Sequence, residues 1–235
     1  MPIPLHSRRE QPAAQSDALT QQNNVPTLAE SQSELRDEQT DTVETECPEL
    51  TFLTPANRIV VHIQTRDLTT QDTEVIVNPA NQYLRHGGGA AKAIADAAGQ
   101  SLVDECNAYI EHYTALPNPY VTHTTSGNLP PPIRHVIHAC EQHFHECHSQ
   151  EQCLLLLQAT FLNCLQYANV ILGTQSIALP AISAGLFAIL MGIVKRAICH
   201  AIETFDHHMT CIKPDKQRLH RIKIVNINRQ ATDAL

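Results

Sequence analysis

A set of polar side chains leads directly into three consecutive glycines. Asn78, Asn81 and His86 precede Gly87-Gly88-Gly89, and alanine-rich sequence that favours helix follows. Glycines leave backbone N–H groups unshielded by Cβ atoms, and a helix start adds its dipole to the attraction for an anion. The amide and imidazole groups can hydrogen-bond sugar hydroxyls. The stretch therefore predicts a site for an anionic ligand that contains a sugar, with a plain Gly-rich turn as the alternative.

The spacing of these glycines differs from two common phosphate-binding motifs. The triplet lacks the G-x-G-x-x-G spacing of the dinucleotide fingerprint, and no Gly-Lys-Ser/Thr follows it as in a P-loop. A second segment of small residues, Ser183-Ala184-Gly185, lies far downstream between a predicted strand and a predicted helix. It again presents backbone N–H groups at a helix start. Taken alone, this second segment would be an ordinary strand-to-helix connection with Phe187 in the core.

Together the two segments resemble the ligand loops of the macrodomain family of ADP-ribose-binding modules. The first match is Asn78-Pro-Ala-Asn81 with Leu84-Arg-His-Gly-Gly-Gly89, closest in form to macrodomain-containing ADP-ribosyltransferases and certain viral macrodomains. The second is Ser183-Ala-Gly-Leu-Phe187, followed by Ala188 where the family commonly has Gly. The resemblance implies an α/β fold, a three-layer α/β/α macrodomain with a mixed central sheet, and ADP-ribose as the ligand.

The resemblance also implies a role for each matching residue. The two loops would bind the pyrophosphate, Asp67 would accept a hydrogen bond from the adenine amino group, and Asn81 would hold the distal ribose. Arg66 replaces the Gly that usually precedes this Asp, Phe187 would pack near the distal ribose, and Asn228 would line the adenine pocket. The residues predicted to bind the ligand are Asp67, Leu68, Asn78, Asn81, Gly87, Gly88, Gly89, Ala90, Ser183, Ala184, Gly185, Leu186, Phe187 and Asn228.

Two functions fit this resemblance. The first is a module that binds ADP-ribose, free or attached to proteins as a mono-ADP-ribosyl group. The second is a hydrolase that removes ADP-ribose from acidic side chains, with Asn81 and His86 as its catalytic residues. The hydrolytic branch of the family often carries an Asp two residues after the glycine run, where this chain has Ala91 and Lys92. We therefore expect binding without efficient turnover, and no cofactor.

Alternating strand and helix patterns place both segments in an α/β domain. In such a sheet, ligands bind at the carboxyl ends of the strands, and both segments follow such ends. Ser101 is a plausible N-cap for the second helix, whose apolar face would include Tyr113. We predict strands at 51–54, 58–65, 74–77, 120–125, 134–139, 176–180 and 221–227, and helices at 90–99, 101–113, 150–167 and 190–205.

The N-terminal segment 1–50 has the composition of a disordered acidic tail. It holds three Arg against ten Asp and Glu and has no apolar periodicity. Residues 51–235, predicted to form the macrodomain with its final helix truncated, hold thirteen Lys and Arg against fourteen acids. This balance disfavours a general RNA or DNA binder. The ends of poly-ADP-ribose are a more natural polymeric partner.

The eight cysteines have no framework spacing, and the sequence shows no signal segment and no run of about 18 apolar residues. We expect reduced thiols, no membrane association, and a cytoplasmic or nuclear location. The segment around residue 145 holds enough ligands for a tetrahedral zinc site. Its spacing is not that of the familiar motifs, so we expect a surface loop without metal. The ligand types in question are Cys140, His143, His145, Cys147 and His148.

Overall fold

A computed structural model of the chain describes residues 50–56, 58–140, 147–183, 190–211, 216–233 and 235. The predicted acidic tail lies almost entirely outside these residues. Within them the strands are β1 Leu50–Leu53, β2 Val60–Thr65, β3 Val75–Ala80, β4 Val121–Thr125, β5 His135–Cys140, β6 Ser176–Leu179 and β7 Arg221–Asn226. The α-helices are α1 Gly89–Ala98, α2 Gln100–Tyr113, α3 Gln150–Gln166, α4 Met191–Cys211 and α5 Arg229–Asp233.

The seven strands form one sheet in the order β1-β2-β7-β6-β3-β5-β4. The five strands from β2 to β5 in this order run parallel, and β1 and β4 pair antiparallel at the two edges. The carboxyl ends of the parallel strands therefore share one edge of the sheet. The chain leaves β3 toward β5 and leaves β6 toward β7, so its direction reverses between β3 and β6. Such a reversal opens a crevice at the carboxyl ends of the two strands.

Helices cover both faces of this sheet. Ile76 of β3 points toward the layer that contains Ile94 of α1 and Leu102 of α2. Its neighbour Val77 points to the opposite face, where it joins Phe161 of α3 and other residues of α3 and α4. This alternation of side chains along a strand is what allows one sheet to bury two apolar layers. The predicted three-layer α/β/α fold with a mixed sheet is confirmed.

The predicted elements all occur, with shifted ends. β3 continues through Asn78 to Ala80, and α4 continues to Cys211. The prediction that Ser101 caps α2 is wrong, because Gly99 occupies that position. Gly99 has φ +82°, which glycine adopts without strain, so the chain ends α1 and begins α2 with no further linker.

The apolar helix α3 lies in the core. Leu157, Phe161 and Leu165 are buried against the sheet, whereas Leu155 is exposed. Among the described residues, the helical stretch Gln150–Ile171 has the length and composition of a membrane span. The core helix of an α/β domain has the same properties.

Tyr113, predicted on the apolar face of α2, is exposed.

A disulfide joins Cys147 to Cys153 in the first turn of α3, with 5.6 Å between their Cα atoms. The expectation that all thiols are reduced is therefore wrong for this pair. The disulfide also removes the Cys147 sulfur from the zinc ligand set considered above. Cys140 is buried at the end of β5, and His143 and His145 lie outside the described residues.

We predict that Gly127→Ala destabilises the domain. Gly127 has φ +57°, and an added Cβ would lie 2.2 Å from the backbone oxygen of Ala98, at the end of α1. Because the obstacle is backbone, the turn must shift, and we expect the free energy of unfolding to fall by about 1–3 kcal/mol. Urea denaturation measures this change.

The matched control is Gly192→Ala in α4, where an added Cβ meets no heavy atom within 4 Å. A helical Gly→Ala change at such a position is neutral or stabilises by less than about 1 kcal/mol. Equal stabilities for the two variants would contradict the steric argument.

Candidate functional site

The described site residues lie at the carboxyl ends of four neighbouring strands. β2 leads to Asp67, β7 to Asn228, β6 to Ser183, and β3 to the loop that carries Asn81 and the glycine triplet. These strands are adjacent in the order β2-β7-β6-β3. The four segments therefore share one edge of the sheet, as the sequence predicted. Ala184, Gly185, Leu186 and Phe187, which were predicted to complete the second wall, lie outside the described residues.

Asp67 is exposed at one end of this row and is held firmly. Its Oδ1 accepts hydrogen bonds from the backbone N and the Oγ1 of Thr69, both at 2.8 Å, and so caps a 3₁₀ turn at Leu68–Thr70. Its backbone oxygen accepts a hydrogen bond from Gln71 Nε2 at 2.6 Å, and Gln71 Oε1 accepts one from the buried Gln64 Nε2. The carboxylate is thus fixed at the rim, and Leu68 anchors the turn in the core.

Arg66 fits the position where a glycine is usual because the backbone there is not left-handed. It is absent from the described residues with positive φ. Its N–H donates to the backbone oxygen of Asn226 at 3.0 Å, which ties the end of β2 to the end of β7. The replacement of Gly by Arg therefore leaves the position of Asp67 intact.

The loop after β3 is organised by the Asn81 side chain. Asn81 Oδ1 accepts hydrogen bonds from the backbone N–H groups of Tyr83 at 3.0 Å and Arg85 at 3.1 Å. Its Nδ2 donates to the backbone oxygen of Arg85 at 3.1 Å. Leu84, with φ +51°, inserts into the core below. Asn81 thus shapes the loop, and its contact with a ribose stays a prediction.

Two glycines of the triplet have open space beside them in the described part of the chain. A Cβ at Gly87 or Gly89 would meet no heavy atom within 4 Å, and both residues are exposed. Gly88 precedes α1, and its backbone oxygen accepts the first helical hydrogen bond, from Lys92 N. Ala90 follows in the first turn, where N–H groups have no intrahelical acceptor. Among the described residues, no side chain approaches the Cβ positions of Gly87 and Gly89.

Asn78 lies beneath this loop and not on its surface. It is fully buried in β3, and its Nδ2 donates to His138 Nδ1 at 2.9 Å. His138 Nε2 lies 3.0 Å from Thr124 Oγ1. Because Nδ1 is the acceptor, the ring proton of the neutral imidazole is on Nε2 and donates toward Thr124. This burial does not fit the prediction that Asn78 contacts a sugar hydroxyl directly.

Burial lowers the pKa of His138 to about 3, with smaller contributions from His86 and His123. Burial also lowers the pKa of His86, whose ring centroid lies 6.4 Å from that of His138. Both ring nitrogens of His86 and Asn78 Oδ1 are buried and make no hydrogen bond to any residue that the structure describes. Within that part of the chain, three unsatisfied polar atoms thus lie in the layer below the glycines.

Two residues of the site were not predicted from the sequence. Asn226 Oδ1 accepts a hydrogen bond from the backbone N of Ala181 at 3.1 Å, which joins the end of β7 to the loop that leads to the buried Ser183. His138 was predicted only as part of a strand. The available signal was a polar side chain next to buried apolar residues, Val225 before Asn226 and Ile137 before His138.

An exposed apolar side chain follows the carboxyl end of β7. Ile227 is 83% exposed and directly follows β7, whose last residue, Asn226, pairs with Thr65 at the end of β2. Asn228 is exposed and directly precedes α5, and its backbone oxygen accepts hydrogen bonds from the backbone N and the Oγ1 of Thr232 in that helix. Asn228 therefore lies at the predicted end of the cleft.

These features define an α/β domain with a glycine-rich loop at a topological switch point. The Macro domain family model matches residues 77–198 of the chain. An O-acetyl-ADP-ribose deacetylase of Escherichia fergusonii is 37% identical over 128 residues, which cover 54% of this chain and 69% of that protein. The chain belongs to the Macro domain family, and the resemblance found in its sequence is confirmed.

Two further similarities extend over more of the chain. The human protein mono-ADP-ribosyltransferase PARP14 is 31% identical over 189 residues, which cover 80% of this chain and 10% of PARP14. A solved structure of a mutant Oceanobacillus iheyensis macrodomain with ADPR has a TM-score of 0.68 and 23% identity, covering 80% of this chain and 94% of that one. This structure supports the fold. The chain spans a tenth of the length of PARP14 and just over two thirds of the deacetylase.

We predict that the neutral His138 makes the domain less stable in acid. Its pKa in the folded state, about 3, is below the ordinary value of 6.5 that it regains on unfolding. Above pH 6.5 His138 therefore does not lower the free energy of unfolding. As the pH falls from 6.5 toward 3, His138 lowers that free energy by up to about 1.4 kcal/mol per pH unit. Urea denaturation between pH 7.5 and 5 should show this slope, and His138→Gln should reduce it by about one proton.

Thr124→Val is the control for lost packing. It removes the hydrogen-bonding partner of His138 but retains the buried ring, so stability should fall while the pH slope persists. The Gln side chain can still accept from Asn78 Nδ2, which limits structural damage in His138→Gln. His86 contributes equally to the pH dependence of wild type and of His138→Gln. If the free energy of unfolding has the same pH slope in both proteins, the low pKa assigned to His138 is therefore wrong.

Proposed function

We propose that the chain binds ADP-ribose, free or as a mono-ADP-ribosyl group on proteins, in the cleft along the carboxyl ends of β2, β7, β6 and β3. The observation that carries the proposal is the exposed backbone of Gly87 and Gly89 at the start of α1, where an added Cβ would meet no described atom within 4 Å, beside the crevice between β3 and β6. Backbone N–H groups at a helix start suit a diphosphate. The ADPR-bound neighbour and the family membership support this choice of ligand.

The charge of the domain agrees with a small anionic ligand held by backbone donors. Residues 51–235 carry thirteen basic and fourteen acidic residues, so no excess of positive charge is present to attract long polyanions. Lys92, in the first turn of α1, is paired with Asp96 at 2.5 Å on an exposed surface. The phosphates would therefore contact mainly backbone N–H groups.

The two ends of the row differ in the way that the two ends of ADP-ribose differ. Asp67 offers a fixed carboxylate and Ile227 an exposed apolar side chain, which suit the amino group and the face of an adenine. Asn81 and the glycine triplet lie at the other end, after β3, where the distal ribose would bind. The row from β2 to β3 thus gives the ligand one orientation.

Calorimetric titration with ADP-ribose tests this proposal. We expect a dissociation constant in the micromolar range, on the order of −8 kcal/mol. Gly87→Val should weaken binding at least about tenfold, because its side chain would extend into the space reserved for the diphosphate. Asp67→Asn should weaken binding by about tenfold, because Asn can still cap the turn but lacks the charge that the adenine amino group prefers.

Thermal unfolding without ligand provides the control. A Cβ at Gly87 meets nothing within 4 Å and the residue is outside the positive-φ set, so both variants should unfold near the wild-type temperature. Gly192→Ala should bind like wild type. The absence of heat at millimolar ADP-ribose, or full binding by Gly87→Val, would contradict the assigned cleft.

Hydrolysis of the bond between ADP-ribose and an acidic side chain is the second candidate function. The observation that favours it is His86, a neutral imidazole with two unsatisfied ring nitrogens beside the glycine triplet. Such a ring can accept the proton of a water that attacks the anomeric carbon, while the carboxylate leaves. The deacetylase relative supports this chemistry. We place it second because Ala91, and not a carboxylate, follows the triplet.

Loss of label from a mono-ADP-ribosylated acceptor protein distinguishes the two functions. If the chain is a binding module, the label stays on the acceptor protein for hours at a stoichiometric amount of the chain. The labelled acceptor should then also be retained on a column that carries the immobilised chain. If it is a hydrolase, His86→Gln should reduce the release rate by about 100-fold with little change in the affinity for ADP-ribose. Release that is unchanged in His86→Gln would exclude the role assigned to His86.

The wider setting is part of the same proposal. The ends of poly-ADP-ribose present the same terminal group and are proposed as further partners, in the cytoplasm or the nucleus. We propose neither membrane association nor general RNA binding. The near-neutral charge of residues 51–235 argues against general RNA binding.

A further inference from the structure

The last turns of α4 present two metal-ligand side chains to solvent. His207 and Cys211 are separated by one helical turn and are both exposed. Cys211 Sγ lies 3.5 Å from His207 Nδ1. Residues four apart on a helix share a face, so this contact is set by the helix itself. Neither residue belongs to the cleft, since α4 rises by about 1.5 Å per residue and places Cys211 roughly 30 Å from its first residue, Met191.

The distance between these two atoms suits a shared zinc ion. Zinc binds a Cys sulfur at about 2.3 Å and a His nitrogen at about 2.0–2.1 Å, and it prefers tetrahedral geometry. Two such ligands on one ion lie about 3.6 Å apart, which follows from those bond lengths and the tetrahedral angle. The observed separation of 3.5 Å is close to this value. The pair is therefore half of a tetrahedral site.

The described part of the chain does not supply the other half. No group of three or more His, Cys, Asp or Glu residues able to hold a metal ion occurs among the described residues. Two copies related by a twofold axis would bring the same pair twice, because such an interface is made of the same surface on both copies. The result is a Cys₂His₂ ligand set, and its two thiolates balance the charge of Zn²⁺.

We propose that the His207–Cys211 pair binds Zn²⁺ together with the same pair of a second copy, so that zinc links two chains through the ends of their α4 helices. When zinc binds, the Cys211 thiol of each copy releases its proton to solvent, and His207 binds as the neutral imidazole through Nδ1 with its ring proton on Nε2. The hydrogen bond between Sγ and Nδ1 is then replaced by the two bonds to the metal. Because the site is remote from the carboxyl edge of the sheet, both clefts stay accessible in the dimer. The proposal is independent of what the cleft binds.

Sedimentation of the full chain with and without zinc tests the proposal. The protein is kept in a phosphine reductant and first stripped with EDTA. Addition of one equivalent of Zn²⁺ per two chains should convert monomer to dimer, and EDTA should reverse it. Substitution with Co²⁺ should give the thiolate charge-transfer band and the strong d–d bands of a tetrahedral thiolate site.

Cys211→Ser and His207→Gln should each abolish the dimer and the cobalt spectrum, with at least a tenfold loss of zinc affinity. The matched control is the double variant Cys199→Ser with His200→Gln, which removes another exposed Cys and His of α4. These two residues are adjacent and do not face each other, so zinc-dependent dimerisation should be unchanged.

Several results would overturn the proposal. Zinc binding that survives in both Cys211→Ser and His207→Gln would place the metal elsewhere in the chain. A dimer that persists in EDTA and reductant would show that the association does not need zinc. Stoichiometric zinc on a monomer, or loss of zinc in the Cys199/His200 control, would also contradict the shared site.

Discussion

Parallel pairing of β2, β7, β6 and β3 is the constraint on which the site depends. Parallel strands place their carboxyl ends at one edge, so segments far apart in sequence become neighbours. The backbone bond from Arg66 to Asn226 and the side-chain bond from Ala181 N to Asn226 then join three of these ends directly. Without this pairing, Asp67 and the glycine triplet would belong to unrelated surfaces.

The open glycine backbone is compatible with a stable fold because the layers around it are well anchored. Asn81 closes the loop on itself, Leu84 fixes it to the core, and the Asn78–His138–Thr124 chain links β3, β5 and β4 beneath it. Buried hydrogen bonds in such a chain strengthen one another, since little water competes for them. The glycine loop can therefore keep one conformation although its glycines do not pack against the core.

Binding and hydrolysis of an ADP-ribosyl group place the same structural demands on this loop. Both need an oriented ribose and a held diphosphate, and both would use the loop after β3. What distinguishes them is one proton acceptor close to the anomeric carbon. The chain has no carboxylate at Ala91, whereas it has His86, whose ring nitrogens make no hydrogen bond to the described residues.

The sequence by itself determined the strands, the helices, the glycine triplet and the family, because these depend on local periodicity, on the absence of a Cβ and on short motifs. It did not determine that Asn78 is buried against His138, sixty positions away, or that Asn226 holds the loop after β6. Nor did it show that Gly99 replaces Ser101 as the start of α2, or that Cys147 and Cys153 are joined. Each of these depends on which segments become neighbours in space, and only tertiary packing decides that.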